Sequence, residues 1–97
     1  MSLERDFQAD FLQEVKVRFP GCIIVKIEPG TIQGFPDRLV LYRDTWAALE
    51  FKRSPRSVRQ PNQKYYVDLL NQMAYSSFVH PDNVEEVLNA LQRAFQS

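Results

Sequence analysis

Apolar residues recur every four positions near the start of the chain, at Leu3, Phe7, Phe11 and Val15. That stripe predicts an amphipathic helix over residues 2 to 19, ended by Phe19-Pro20-Gly21. Gly21 to Ile27 is a short β-branched run stopped by Pro29-Gly30, and its apolar stretch Cys22-Ile23-Ile24-Val25 reads as a buried strand. Arg38 to Tyr42 and Thr45 to Lys52 are two further strands separated only by Arg43-Asp44, which predicts a tight hairpin. After the polar loop Ser54 to Gln60, Pro61 suits the first position of a helix running to about Met73. In it Gln63, Tyr66, Val67 and Leu70 follow i, i+3, i+4, i+7, so an amide shares the sheet-facing stripe. Tyr75 to Val79 reads as a fourth strand and His80-Pro81-Asp82 as a turn. Val84, Val87, Leu88, Leu91 and Phe95 form the apolar face of a closing helix. The order α-β-β-β-α-β-α predicts an α/β layer architecture, a sheet with helices packed on it. Trp46, Phe51 and Tyr66 sit at core spacing.

The length of 97 residues suits one domain spanning 1–97, and no repeat or linker divides it. Apolar residues make up 44% and charged residues 25%, ordinary for a chain that folds. Net charge is zero, so the average gives no support for a nucleic-acid partner. The distribution says more. Lys52, Arg53, Arg56, Arg59 and Lys64 concentrate five of the twelve basic side chains in thirteen residues without an acid, which predicts a local basic patch. A solvated loop is the competing reading of that run. Cys22 has no intramolecular partner, no signal core follows Met1, and no run approaches the ~18 apolar residues of a membrane span, so a cytoplasmic protein without a membrane partner is expected.

Candidate chemistry lies on the third strand. Glu50 and Lys52 are two apart and share one face of the sheet, while Leu49 and Phe51 point to the other. Asp37 begins the neighbouring strand and, with the hairpin paired around Arg43-Asp44, lies opposite the region of Glu50. Two carboxylates with open positions suit a hard cation such as Mg²⁺, which prefers oxygen ligands and keeps waters for substrate phosphate to displace. Such a cation stabilises charge on phosphate oxygens and lowers the pKa of a bound water, and Lys52 is placed to orient that water or neutralise the phosphate. The competing reading of Glu50 and Lys52 is a same-face surface ion pair, although the flank Trp46-Ala47-Ala48-Leu49 marks a central strand.

Gly34-Phe35-Pro36-Asp37-Arg38 and Glu50-Phe51-Lys52, with twelve residues between Asp37 and Glu50, resemble the Pro-Asp…(Asp/Glu)-x-Lys signature of the PD-(D/E)XK nucleases. More narrowly they resemble its VRR-NUC branch, in the minimal stand-alone form that phages carry, which would act in the host cytoplasm. An early helix bearing Glu4, the segment Lys26-Ile27-Glu28-Pro29-Gly30 and Gln63 at the start of the following helix agree. The resemblance covers nearly the whole chain and implies a central mixed four-stranded sheet with flanking helices. It implies that Asp37 and Glu50 bind Mg²⁺ or Mn²⁺ with the backbone carbonyl of Phe51, that Lys52 assists the attacking water, and that Glu4 completes the acidic cluster. The competing reading of Glu4 is a charge that favours its helix dipole, and Glu14 competes with it for that place. Gln63 would hold the site in order, or only satisfy a free backbone N–H near its helix start.

Arg53, Arg56 and Arg59 follow the catalytic strand, in position to reach DNA phosphates without reading bases; Lys64, and more weakly Lys26 and Arg38, are candidates for the same role. The activity implied is a metal-dependent endonuclease. Relatives of this minimal form include symmetric dimers that cleave branched DNA such as four-way (Holliday) junctions, so a homodimer follows from the analogy. A general or flap nuclease, and a catalytically idle nucleic-acid-binding module of the same fold, are the alternatives. His80 is the only histidine, which leaves multi-histidine zinc sites and Ser-His-Asp triads unsupported, and it reads as a turn residue. The absence of a Gly-x-x-x-x-Gly-Lys-Ser/Thr loop argues against a nucleotide cofactor.

Overall fold

The structure is a computed structural model that describes residues 3–96, with side chains from residue 6 onward. Seven elements follow one another: α1 (Leu3–Arg18), β1 (Ile23–Lys26), β2 (Arg38–Tyr42), β3 (Thr45–Phe51), α2 (Gln63–Met73), β4 (Tyr75–Val79) and α3 (Val84–Gln96). The sheet runs in the order β1-β2-β3-β4. Its first two pairings are antiparallel and the third is parallel, with α2 as the crossover that parallel neighbours require. The β2–β3 hairpin closes at the pair Tyr42 and Thr45, with Arg43 in the left-handed region at φ 56° and its guanidinium 4.9 Å from the Tyr42 ring centre. The expected element order and mixed sheet are present.

Alternation along β3 divides the molecule into two layers. Ala47, Leu49 and Phe51 face α1 and α3 together with Val40 and Tyr42. Phe51 meets the rings of Phe7 and Phe11 at 5.9 and 5.6 Å, and Phe19 meets Tyr42 and Phe95 at 5.4 and 5.0 Å. Aromatic contacts of this edge-on kind add about 0.5–1.5 kcal/mol each beyond the area they bury. The other face of β3 carries Ala48 and Glu50, and α2 lies over it and over β4, burying Val67, Leu70 and Gln63. Ser76 Oγ donates to the carbonyl of Ala48 at 2.8 Å beneath that helix.

Three expectations are corrected. The stretch Cys22 to Val25 is not a buried strand: β1 is the sheet edge, with Ile23 59% and Val25 36% exposed, because α2 does not extend over it. Pro61 does not begin α2, since Asn62 adopts a left-handed conformation at φ 71° and the helix starts at Gln63. The regular part of β3 ends at Phe51, although Lys52 N–H continues the ladder by donating to the Val79 carbonyl at 2.8 Å.

Candidate active site

The register Arg38 to Leu49 sets Asp37 one step beyond the last antiparallel pair, directly opposite Glu50 and on the face that Ala48 shares. The loop ahead of Asp37 is fixed from two directions. Ile27 N–H donates to the Asp37 carbonyl at 2.9 Å, tying the loop to the end of β1. Gly34, at φ 86°, lies so close to the start of α2 that a Cβ there would stand 2.6 Å from the Pro61 carbonyl oxygen and 2.7 Å from Asn62. Phe35 then packs on Tyr66, ring centres 5.7 Å apart, and Pro36 is fully buried. The glycine therefore lets one loop dock on α2, and that docking brings the Asp37 strand and Gln63 to one cleft.

Gln63 joins the ionisable groups. Its Nε2 donates to Glu50 Oε2 at 3.1 Å, and its Oε1 accepts from Lys52 Nζ at 2.7 Å and from the Gln60 backbone N–H at 2.7 Å. Lys52 Nζ also donates to the Val58 carbonyl at 3.2 Å, which ties the following loop to the site. Glu50 is 7% exposed, and burial, followed by the charge of Asp37, pushes its pKa up to about 7 against the opposing pull of Lys52 and Arg38. Burial likewise raises the pKa of Asp37, opposed first by Arg38. Among the described residues Asp37 Oδ1 is buried without a hydrogen-bond partner; Arg38 Nη1 stands 4.0 Å from it and donates instead to the Asp37 carbonyl at 3.1 Å.

Two crowded carboxylates on one face of the sheet, one with an orphaned buried oxygen, form an oxygen donor set that fits a hard divalent cation. Among the described residues no group of three or more Asp, Glu, His or Cys side chains gathers at one point. The side chain of Glu4, in the first turn of α1, lies outside the described residues. Phe51 turns its ring to the opposite layer, leaving only its backbone at the level of the site. The cleft has a volume of about 460 Å³ and is lined by Asp37, Glu50 and Gln63, with Glu28, Gly34 and Pro61 around them.

Comparison with known proteins gives this geometry a context. No family model matches the chain, and no curated protein matches it. Two solved structures do. One, a "VRR_NUC domain", superposes with a TM-score of 0.60 at 21% identity over 84% of this chain and 92% of the other. A second, a "VRR_NUC domain protein", gives a TM-score of 0.64 at 17% identity over 99% and 90%. The chain has the VRR-NUC fold.

On this VRR-NUC fold Asp37, Glu50, Lys52 and Gln63 come together in one place, and the remaining candidates are dispersed. Glu14 pairs with Arg18 at 2.9 Å and lines a groove of about 520 Å³ between α1 and α3, away from Asp37. Arg38 is half-buried against Asp37 and lies 6.0 Å from the Phe51 ring centre, so its charge is already engaged. Lys64 pairs with Asp68 at 2.5 Å on the exposed side of α2, while Lys26 is exposed on the edge strand. Arg53 and Arg56 are exposed on the loop after Lys52, and Arg59 lies over the Phe78 ring at 4.0 Å from its centre. Sequence reasoning missed two neighbours. Glu28 lines the cleft, in a segment singled out only by family resemblance. His80 sits beside Lys52 because β4 pairs parallel to β3 with Phe51 opposite Val79, a register that no local pattern encodes.

Proposed function

We propose that this chain is a single nuclease domain that hydrolyses phosphodiester bonds of DNA with Mg²⁺ or Mn²⁺. The observation that carries the reading is the connected run Lys52–Gln63–Glu50 beside the orphaned Asp37 oxygen. Asp37 and Glu50, with the Phe51 carbonyl, would hold the cation, and Glu4 is the further carboxylate that family resemblance adds. A cation bound there would supply charge stabilisation to the phosphate and lower the pKa of a coordinated water. Gln63 is a positioning residue: its amide oxygen fixes the Lys52 ammonium while its amide nitrogen holds Glu50. Lys52 can then donate to the attacking water or to a non-bridging phosphate oxygen, an electrostatic contribution realised as charge develops there. Arg53, Arg56 and Arg59 hold flanking phosphates, with Lys26 and Lys64 further out, and none of these contacts reads a base.

The preferred substrate in this reading is branched DNA, such as a four-way junction, cut by a homodimer whose two sites act on paired strands. Support for self-association comes from the half of the sheet that α2 leaves open. Ile23, Val25, Leu39, Leu41 and Trp46 share that face through the β1–β2 and β2–β3 registers, and an apolar pocket of about 280 Å³ opens on it. Contiguous apolar surface of this kind marks an interface more often than a solvated face. The test is cleavage of labelled four-way junction, flap, duplex and single-stranded DNA with Mg²⁺ or Mn²⁺. Lys52→Ala should lower cutting by about 100-fold or more while leaving the fold intact. Junction-selective cutting supports the dimeric resolvase, cutting of every substrate a general nuclease. Tight binding with no cutting overturns the enzyme reading in favour of an idle binding module.

A further inference from the structure

The parallel register that continues from Phe51 and Val79 sets Lys52 and His80 side by side at the end of the sheet. Between them lies a pocket of about 60 Å³ lined by Lys52, Ser54, Ser57, Arg59, Phe78 and His80. Every ionisable or hydroxyl side chain in this lining can donate a hydrogen bond, and no carboxylate takes part. Arg59 is oriented by stacking on Phe78, and among the described residues no carboxylate lies within ion-pair distance of its guanidinium. The Ser57 hydroxyl oxygen accepts from the Ser54 backbone N–H at 3.1 Å, and the Ser54 hydroxyl oxygen accepts from the Arg56 N–H at 3.2 Å. The two hydroxyls stand 3.4 Å apart, so at most one of their protons is used between them. His80 N–H is held by Asn83 Oδ1 at 2.9 Å, whereas its imidazole Nδ1 is buried with no partner among the described residues. A buried polar nitrogen without a protein partner leaves a place for a water, an ion or a ligand atom.

A pocket made of donors, too small for a base and holding two fixed cationic side chains, suits a tetrahedral oxyanion. We propose that it is a phosphate subsite for the phosphodiester adjacent to the scissile one, with Arg59 and His80 as its principal donors; the assignment to DNA rests on the nuclease reading, the affinity for phosphate does not. Lys52 lines this pocket and hydrogen-bonds to Gln63 of the neighbouring cleft, so a phosphate seated here fixes the strand relative to Asp37 and Glu50.

Because the chain has one histidine, its ring resonances report on the pocket without ambiguity. The experiment titrates the 97-residue chain with inorganic phosphate at constant pH and ionic strength, using chloride as the counter-titration, and follows the His80 ring protons by NMR. A saturable shift is expected, about tenfold weaker in Arg59→Gln and unchanged in Arg93→Gln, an exposed arginine on α3; tenfold is the loss of one charge-assisted hydrogen bond. A shift that does not saturate, or that Arg59→Gln leaves as strong as in the unaltered protein, overturns the subsite. In parallel, cleavage is measured on DNA carrying one neutral methylphosphonate at each position around the cut. A single sensitive position next to the cut, whose sensitivity disappears in Arg59→Gln, supports the subsite; uniform sensitivity overturns its role toward DNA. Saturable phosphate binding by a protein that cuts no DNA would leave the pocket standing and remove the nuclease reading. Cutting without phosphate binding would do the reverse.

Discussion

Glu50 is a carboxyl group placed where ionisation is unfavourable, buried under α2 and facing Asp37. Its pKa rises from an ordinary 4.5 in the unfolded chain to about 7 in the fold. Below pH 4.5 both states hold the proton and the group leaves stability unchanged. As pH rises toward 7 the unfolded chain ionises first, so folding stability falls, by on the order of 3 kcal/mol in total, and levels off above the folded pKa. Glu50→Gln keeps an acceptor for Gln63 and removes this titration. The difference in urea-unfolding free energy between the variant and the unaltered protein should therefore grow from pH 4.5 to 7 in favour of the variant. A pH-independent difference would refute the raised pKa. Much at this scale was legible in the sequence: the two-residue spacing of Glu50 and Lys52 fixed their shared face. The double use of the Gln63 oxygen was not, because it depends on where Gln60 N–H ends up after a seven-residue loop.

Elements rather than single groups decide whether Asp37 and Gln63 meet, and Gly34 is where that is decided. Adding a Cβ would press on backbone atoms of Pro61 and Asn62, and the positive φ disfavours any other residue there. We expect Gly34→Ala to lower stability by about 1–3 kcal/mol. Cleavage should fall further than that loss of folded protein explains, since small displacements of reacting groups reduce rates by up to about 100-fold. Thermal melts alongside single-turnover cleavage would separate the two effects; an active, equally stable variant would show that the docking is dispensable. Strand and helix order were readable because short apolar runs such as Leu39–Tyr42 are bounded by turn residues, here Arg43-Asp44, whereas α1 carries a long four-residue stripe. One boundary and one burial were not. The left-handed Asn62 beside Gly34 displaces the start of α2 past Pro61, and a run such as Cys22 to Val25 is apolar on an exposed edge as readily as in a core.

Across the whole molecule, α1 and α3 pack on one face of the sheet while α2 covers half of the other. The open half, with Leu41 38% exposed, is where self-association would be lost on adding charge. Leu41→Glu should halve the solution mass measured by sedimentation and reduce paired junction cuts more than nicking of simple duplex. An unchanged mass, or a monomeric unaltered protein, would exclude this face. The layout also implies an order in time. Asp37 and Glu50 lie on one hairpin, which can close within about 1–10 μs, whereas Gln63 arrives only when the crossover helix docks and the parallel strand joins. Two like charges thus meet before their hydrogen-bonding neighbours do. Refolding should slow between pH 5 and pH 8 and recover when Mg²⁺ is added, and stopped-flow rates of Glu50→Gln should lack that slowing, so the pair that suits the site to a cation also gates its assembly.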